Sequence, residues 1–110
     1  MELNKERWRN LTLAQQMGNI GSEVARAFLW QSKGEIVQME KAIDRFLELI
    51  DLTLSDNRWQ KRRLEIARLR EVLCGYFFAN HGSLSFQRQI ENYFLPFAAL
   101  SNNNVHPTFS

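Results

Sequence analysis

Apolar residues recur along this chain at intervals of three and four, and polar breaks divide the recurrence into four series. The first is Leu13, Met17, Ile20, Val24, Ala27 and Phe28. Thr12, with Gln15 three residues on, fits a capping box just ahead of it, so the spacing predicts a helix over 13–33 with Gly34 as its stop. The second series, Ile36, Met39, Ile43, Phe46, Leu47, Ile50 and Leu54, predicts a helix over 35–54, with Ala42 and Leu49 widening its apolar face. A link this short folds two helices into an antiparallel hairpin. Asp56 or Asn57 is the expected N-cap of a third helix over 58–79. After a turn over 80–83, a phenylalanine-rich fourth helix is expected over 85–99, with Pro96 kinking or ending it. The tail, 101–110, has no periodicity and is expected to fray. No segment alternates with period two. The fold class expected is all-α, an antiparallel up-down four-helix bundle with a short C-terminal fourth helix, in one domain spanning 1–110.

Charge adds detail to the faces. Beside the apolar face of the second helix run Glu40, Asp44, Glu48 and Asp51, and the third helix begins with Arg58, Lys61, Arg62, Arg63, Arg68 and Arg70 against the single Glu65. Bundle metal sites use inward carboxylates supported by histidine, and no Glu-x-x-His occurs here, so the acidic strip reads as a solvated or ion-paired flank. On a helical wheel the basic run splits into separate strips. Arg63 and Arg70 share one, which antiparallel neighbours would set beside the carboxylates. The remaining positive residues, Arg58, Lys61, Arg62 and Arg68, are the candidates for phosphate contact, and they support the alternative of a small RNA- or DNA-associated accessory subunit. Apolar residues flank the strips in two arcs: Trp59, Ile66, Leu69, Leu73 and Phe77, and Leu64, Ala67, Cys74 and Phe78. A helix apolar on two sides is expected between two neighbours, and in a small bundle the second can be another subunit.

Composition excludes several classes. The 110 residues, 45% hydrophobic with a net charge of +2, suffice for one modest core, and a pI near 9.0 permits an acidic partner without demanding one. One cysteine, Cys74, rules out an internal disulfide framework, and no cysteines and histidines cluster at metal-ligand spacing, so neither a cofactor nor a metal is expected. The polar N-terminus is unlike a secretory signal and the longest uncharged run is broken by polar residues, which leads to the expectation of a cytoplasmic protein without a membrane span. A catalytic nucleophile needs a base in reach. The only histidines are His81 in a turn and His106 in the tail, and Cys74 lies among apolar residues as an inert, buried thiol would. The aromatics crowd a C-terminal half where 73–87 holds no Lys or Arg, so they read as core or subunit contact rather than a stacking platform for bases. Trp30, on the polar side of the first helix, is the candidate partner-facing aromatic.

The layout of paired antiparallel helices resembles that of the HEPN nucleases and other small prokaryotic four-helix proteins. The pairing of Gly18-Asn19-Ile20-Gly21-Ser22-Glu23-Val24 with the stretch Glu65 to Cys74 is similar to small prokaryotic proteins of no assigned role. The nuclease members carry an arginine a few residues before a histidine on the third or last helix. Phe77, Tyr76, Gly75 and Cys74 stand there before His81, and Asn102, Ser101, Leu100 and Ala99 before His106, so the resemblance implies architecture and not nuclease activity.

Two glycines inside the first helix remain to be placed. Gly18 and Gly21 lack the lysine and preceding strand of a phosphate loop and the sheet of an RNA-clamping module. On a helix, Ala14, Gly18, Gly21 and Ala25 form a small-residue seam with Ser22 beside it, fit to receive another helix at short distance, from this chain or a second copy. The function expected is therefore binding and scaffolding without catalysis, by a homo-oligomer or with a protein partner.

Overall fold

The computed structural model describes residues 5–79 and 84–105, with side chains through residue 100. Among them the elements are α1 (Lys5–Arg9), α2 (Leu13–Ser32), α3 (Ile36–Leu54), a 3₁₀ turn (Asn57–Arg62), α4 (Arg63–Ala79) and α5 (Leu84–Val105), with no strand. The protein is an all-α helical bundle. Its radius of gyration is 14.1 Å.

Local chemistry sets the ends of α2. The Gln15 amide donates to Thr12 Oγ1 at 3.1 Å while the Thr12 amide donates to Gln15 Oε1 at 2.9 Å, a complete capping box. At the other end Gly34 takes φ +70°, its amide donates to the Gln31 carbonyl and the Glu35 amide to the Trp30 carbonyl. This pair of bonds is a Schellman closure, which satisfies two carbonyls the helix leaves open and reverses the chain into α3.

α2 lies at the centre of the bundle and packs against both α3 and α5, while α4 packs on α3. Met17, Ile20, Val24, Ala27 and Phe28 of α2 meet Ile43, Phe46 and Ile50 of α3, and Ile66, Leu69, Leu73 and Phe77 extend that core onto α4. α4 and α5 are bridged by long side chains. The Tyr76 ring stacks on Phe86 at 4.7 Å between centroids, and Tyr76 also meets Phe28 edge-on at 5.3 Å. The Tyr76 hydroxyl donates to Gln31 Oε1 at 2.8 Å, which satisfies the polar end of a buried ring.

Several elements differ from the sequence expectation. The third helix is not one rod over 58–79: Trp59 leaves helical geometry (φ −107°, ψ 23°), and a 3₁₀ turn precedes α4. Asp56 causes this, because its carboxylate accepts from the Arg58 amide and side chain, tightening the first turn. Pro96 does not end the last helix, which runs to Val105, so 101–105 is helical where fraying was expected. Packing of Ile90, Phe94 and Phe97 holds α5 across the missing amide, and Pro96 faces solvent, where water can reach the Asn92 carbonyl it leaves open. α1 has no counterpart in the periodicity; its Trp8 is buried over the end of the bundle. The turn over 80–83, with His81, and the tail over 106–110, with His106, lie outside the described residues.

Candidate functional site

The small-residue seam of α2 meets α5. A Cβ placed on Gly21 would stand 2.9 Å from Cγ and Cδ1 of Phe94, closer than a methyl group can come, so the glycine is what lets the ring lie on the backbone of α2. The rest of the seam is less closely covered. Ser22 and Ala25 are exposed, Ala14 and Gly18 are half-buried, and beside Phe94 an open groove of about 430 Å³ runs along α2 and α5 between Gly18, Ser22, Ala25, Asn92 and Leu95. The Ser22 hydroxyl donates to the Gly18 carbonyl at 3.1 Å and so is directed back into its own helix.

At the end of the bundle nearest the 3₁₀ turn, buried polar groups form a closed set. Gln16, fully buried, donates from Nε2 to the Trp8 carbonyl at 2.9 Å and to Asp56 Oδ2 at 3.3 Å, and accepts from Trp59 Nε1 at 2.9 Å. Trp8 Nε1 donates to Thr53 Oγ1 at 3.1 Å. Arg58 grips Asp56 with Nε and Nη2, the shortest bond being 2.6 Å, and reaches the Leu11 carbonyl at 3.0 Å. The Arg58 guanidinium holds the Asp56 carboxyl down at about 2, helped by the Arg58 amide and Gln16 and opposed by burial. Among the described side chains no buried polar atom lacks a partner. A set so fully satisfied ties α1, α2, α3 and the turn together and offers no free acid or base. Gln16 and Thr53 were legible in principle, since both are polar residues at apolar-face spacing, three residues from Leu13 and Ile50.

The basic candidates therefore separate. Arg58 is committed to Asp56, and Arg62 donates to both Glu65 oxygens at 3.0 Å. Glu65 also accepts from the Tyr93 hydroxyl at 2.5 Å, which carries the cluster to α5. Burial first, and then the neighbouring carboxylate, push the Tyr93 hydroxyl well above the ordinary phenol range. Lys61 and Arg68 are exposed and make no ion pair among the described residues. Of the strip expected to meet the carboxylates, Arg70 does so, with Nε 2.8 Å from Asp51 Oδ1. Arg63 instead donates to the Leu54 carbonyl and caps the end of α3, because the 3₁₀ turn draws it back over that terminus.

The two apolar arcs of α4 have different fates. Ile66, Leu69, Leu73 and Phe77 are buried, whereas Leu64 is 87% and Phe78 66% exposed, and Ala67 joins them at the surface. Trp59 leaves the first arc for the polar set because its backbone is no longer helical. Cys74, expected to be buried, is only half-buried at the edge of this outer face, with Arg70 Nη1 at 4.0 Å from its sulfur. Gly75 sits at the centre of the same face, where an added Cβ would meet nothing within 4 Å. Trp30 is half-buried under Lys33, whose Nζ stands 5.5 Å from the ring centroid.

Among the described residues no group of acidic, histidine or cysteine side chains is placed to hold a metal ion, and no helix is long and apolar enough to cross a membrane. The most exposed large apolar side chain among the described residues, Leu64, stands on the outer face of α4, which also carries Phe78 and, between them, Arg68 and Glu71. Comparison with protein-family models, with curated proteins and with solved structures finds no match to this chain.

Proposed function

We propose that this protein is a non-catalytic helical interaction module that self-associates, with the outer face of α4 as its contact surface. The observation that carries this reading is the exposure of Leu64 and Phe78 on a helix whose opposite side is already core. Large apolar side chains gain on the order of 1.5–3 kcal/mol each on full burial, so a face that displays them beside Ala67 and Val72 favours a protein partner. Binding through such a face needs no nucleophile, acid or metal. The test is molar mass by light scattering over a range of protein concentrations. A mass that rises above the 13.0 kDa of one chain, and returns to it in Leu64→Asp and Phe78→Asp with helicity unchanged by circular dichroism, is the expected outcome. A single-chain mass throughout would overturn the reading. Were that monomer to shift single-stranded RNA in a salt-dependent way lost in Arg68→Ala, the exposed cations Lys61 and Arg68 would define a nucleic-acid function in its place.

A further inference from the structure

Opposite the buried side of α4 runs an exposed strip of Leu64, Arg68, Glu71, Gly75 and Phe78, spaced four, three, four and three, the alternation of a heptad seam. Three features of this strip are unexplained by the chain's own packing. Two large apolar residues face water at its ends. Arg68 and Glu71 carry opposite charges with no ion-pair partner among the described residues. Gly75 occupies a helix interior, where glycine is disfavoured relative to alanine, yet nothing within 4 Å requires its small size.

One occupant answers all three. We infer that the strip docks against the same strip of a second copy, antiparallel, about a two-fold axis between residues 69 and 70. This inference rests on the self-association proposed above and specifies its geometry. Run backwards, the strip is its own complement. Leu64 falls over Gly75 of the partner subunit, and Gly75 beneath the partner's Leu64, so that each large residue fills the space the missing Cβ leaves. Arg68 meets the partner's Glu71 and Glu71 the partner's Arg68. Phe78 reaches the turn that carries the partner's Lys61, an exposed cation suited to the face of a ring. A parallel pairing would set Arg68 against its own copy and Glu71 likewise, and like charges in a closing seam select against it. Each contact off the axis occurs twice by symmetry. A single helix pair lies at the small end of specific interfaces, so association is expected in the micromolar range rather than tighter.

Charge reversal tests the register separately from self-association. Arg68→Glu alone places two carboxylate clashes in the seam, and Glu71→Arg alone places two guanidinium clashes. Each is expected to weaken dimerisation about tenfold or more by sedimentation equilibrium. The double variant, Arg68→Glu with Glu71→Arg, rebuilds both pairs in swapped order and is expected to restore the wild-type constant. Both residues are exposed, and thermal melts at low concentration check that the variants fold. In a Cys74→Ser background, Leu64→Cys together with Gly75→Cys is expected to form an intermolecular disulfide under mild oxidation, and Leu64→Cys alone is not. A wild-type dimer indifferent to both single reversals, or one that cross-links through Leu64→Cys alone, would overturn this register while leaving self-association standing. A wild-type monomer at every concentration would overturn both.

Discussion

At the scale of single residues, the buried polar set around Gln16 decides how the end of the bundle closes. Gln16 satisfies three groups, one on α1 and two on the 3₁₀ turn and its cap, so Gln16→Leu strands the Trp59 indole N–H and leaves the Trp8 carbonyl and Asp56 each one donor short. Stranded buried polar groups cost about 1–3 kcal/mol each, and a loss of about 2–3 kcal/mol in urea unfolding is expected despite the more apolar side chain. Asp56 gives the same region a pH signature. Its carboxyl drops from 3.8 to about 2 on folding, so the unfolded chain takes up the proton first as the solution is acidified. The resulting stabilisation, on the order of 2 kcal/mol, is complete above about pH 4 and lost as the pH falls towards 2. Wild type should therefore exceed Asp56→Asn in stability at neutral pH, and the gap should narrow across that window; a gap independent of pH would show that the carboxylate charge is not what Arg58 holds.

Helices, taken as elements, owe their ends and spacings to glycines that do opposite things. Gly34 holds φ +70° with open space around it, so Gly34→Ala is a purely conformational change and should cost about 1–2 kcal/mol. Gly75→Ala sits in regular helix with equal space, and measured at concentrations low enough to keep the chain monomeric it should raise stability by about 1 kcal/mol. At Gly21 the neighbour decides the sign. An alanine there gains the same helical preference but drives a methyl into the Phe94 ring, and overpacking of about 1–3 kcal/mol outweighs it. Pairing Gly21→Ala with Phe94→Leu should recover part of the loss, a non-additivity that a double-mutant cycle in thermal unfolding reads directly.

For the whole molecule, the arrangement concentrates burial around α2 and leaves α4 with a single covered side. Four antiparallel helices can close a core with one face each, and α4 has two apolar arcs, so the surplus falls on the surface. The proposed association through that surface is expected to make thermal stability rise with protein concentration, since a partner that binds only the folded state stabilises it by mass action. A melting temperature unchanged over a hundredfold dilution would argue against coupling between fold and assembly.

What the sequence determined by itself was whatever one helix can settle alone. The capping box at Thr12, the stop at Gly34, the apolar faces of α2 and α3 and the two-sidedness of α4 were all legible, because spacing at 3.6 residues per turn and the chemistry of helix ends are local. The 3₁₀ turn at Trp59, the commitment of Arg58 and Arg62 to carboxylates, and the docking of Trp8 were not. Each depends on a partner distant in the chain or on a backbone departure from the regular wheel, as Gln16 shows by meeting Asp56 and Trp59 across more than a helix of intervening residues. Pro96 illustrates the same division, since a local rule for ending helices yielded to the packing of Phe94 against Gly21. Tertiary structure alone decided which small residue received a helix from the same chain and which was left open, because close approach is a property of two surfaces and a sequence displays them one at a time.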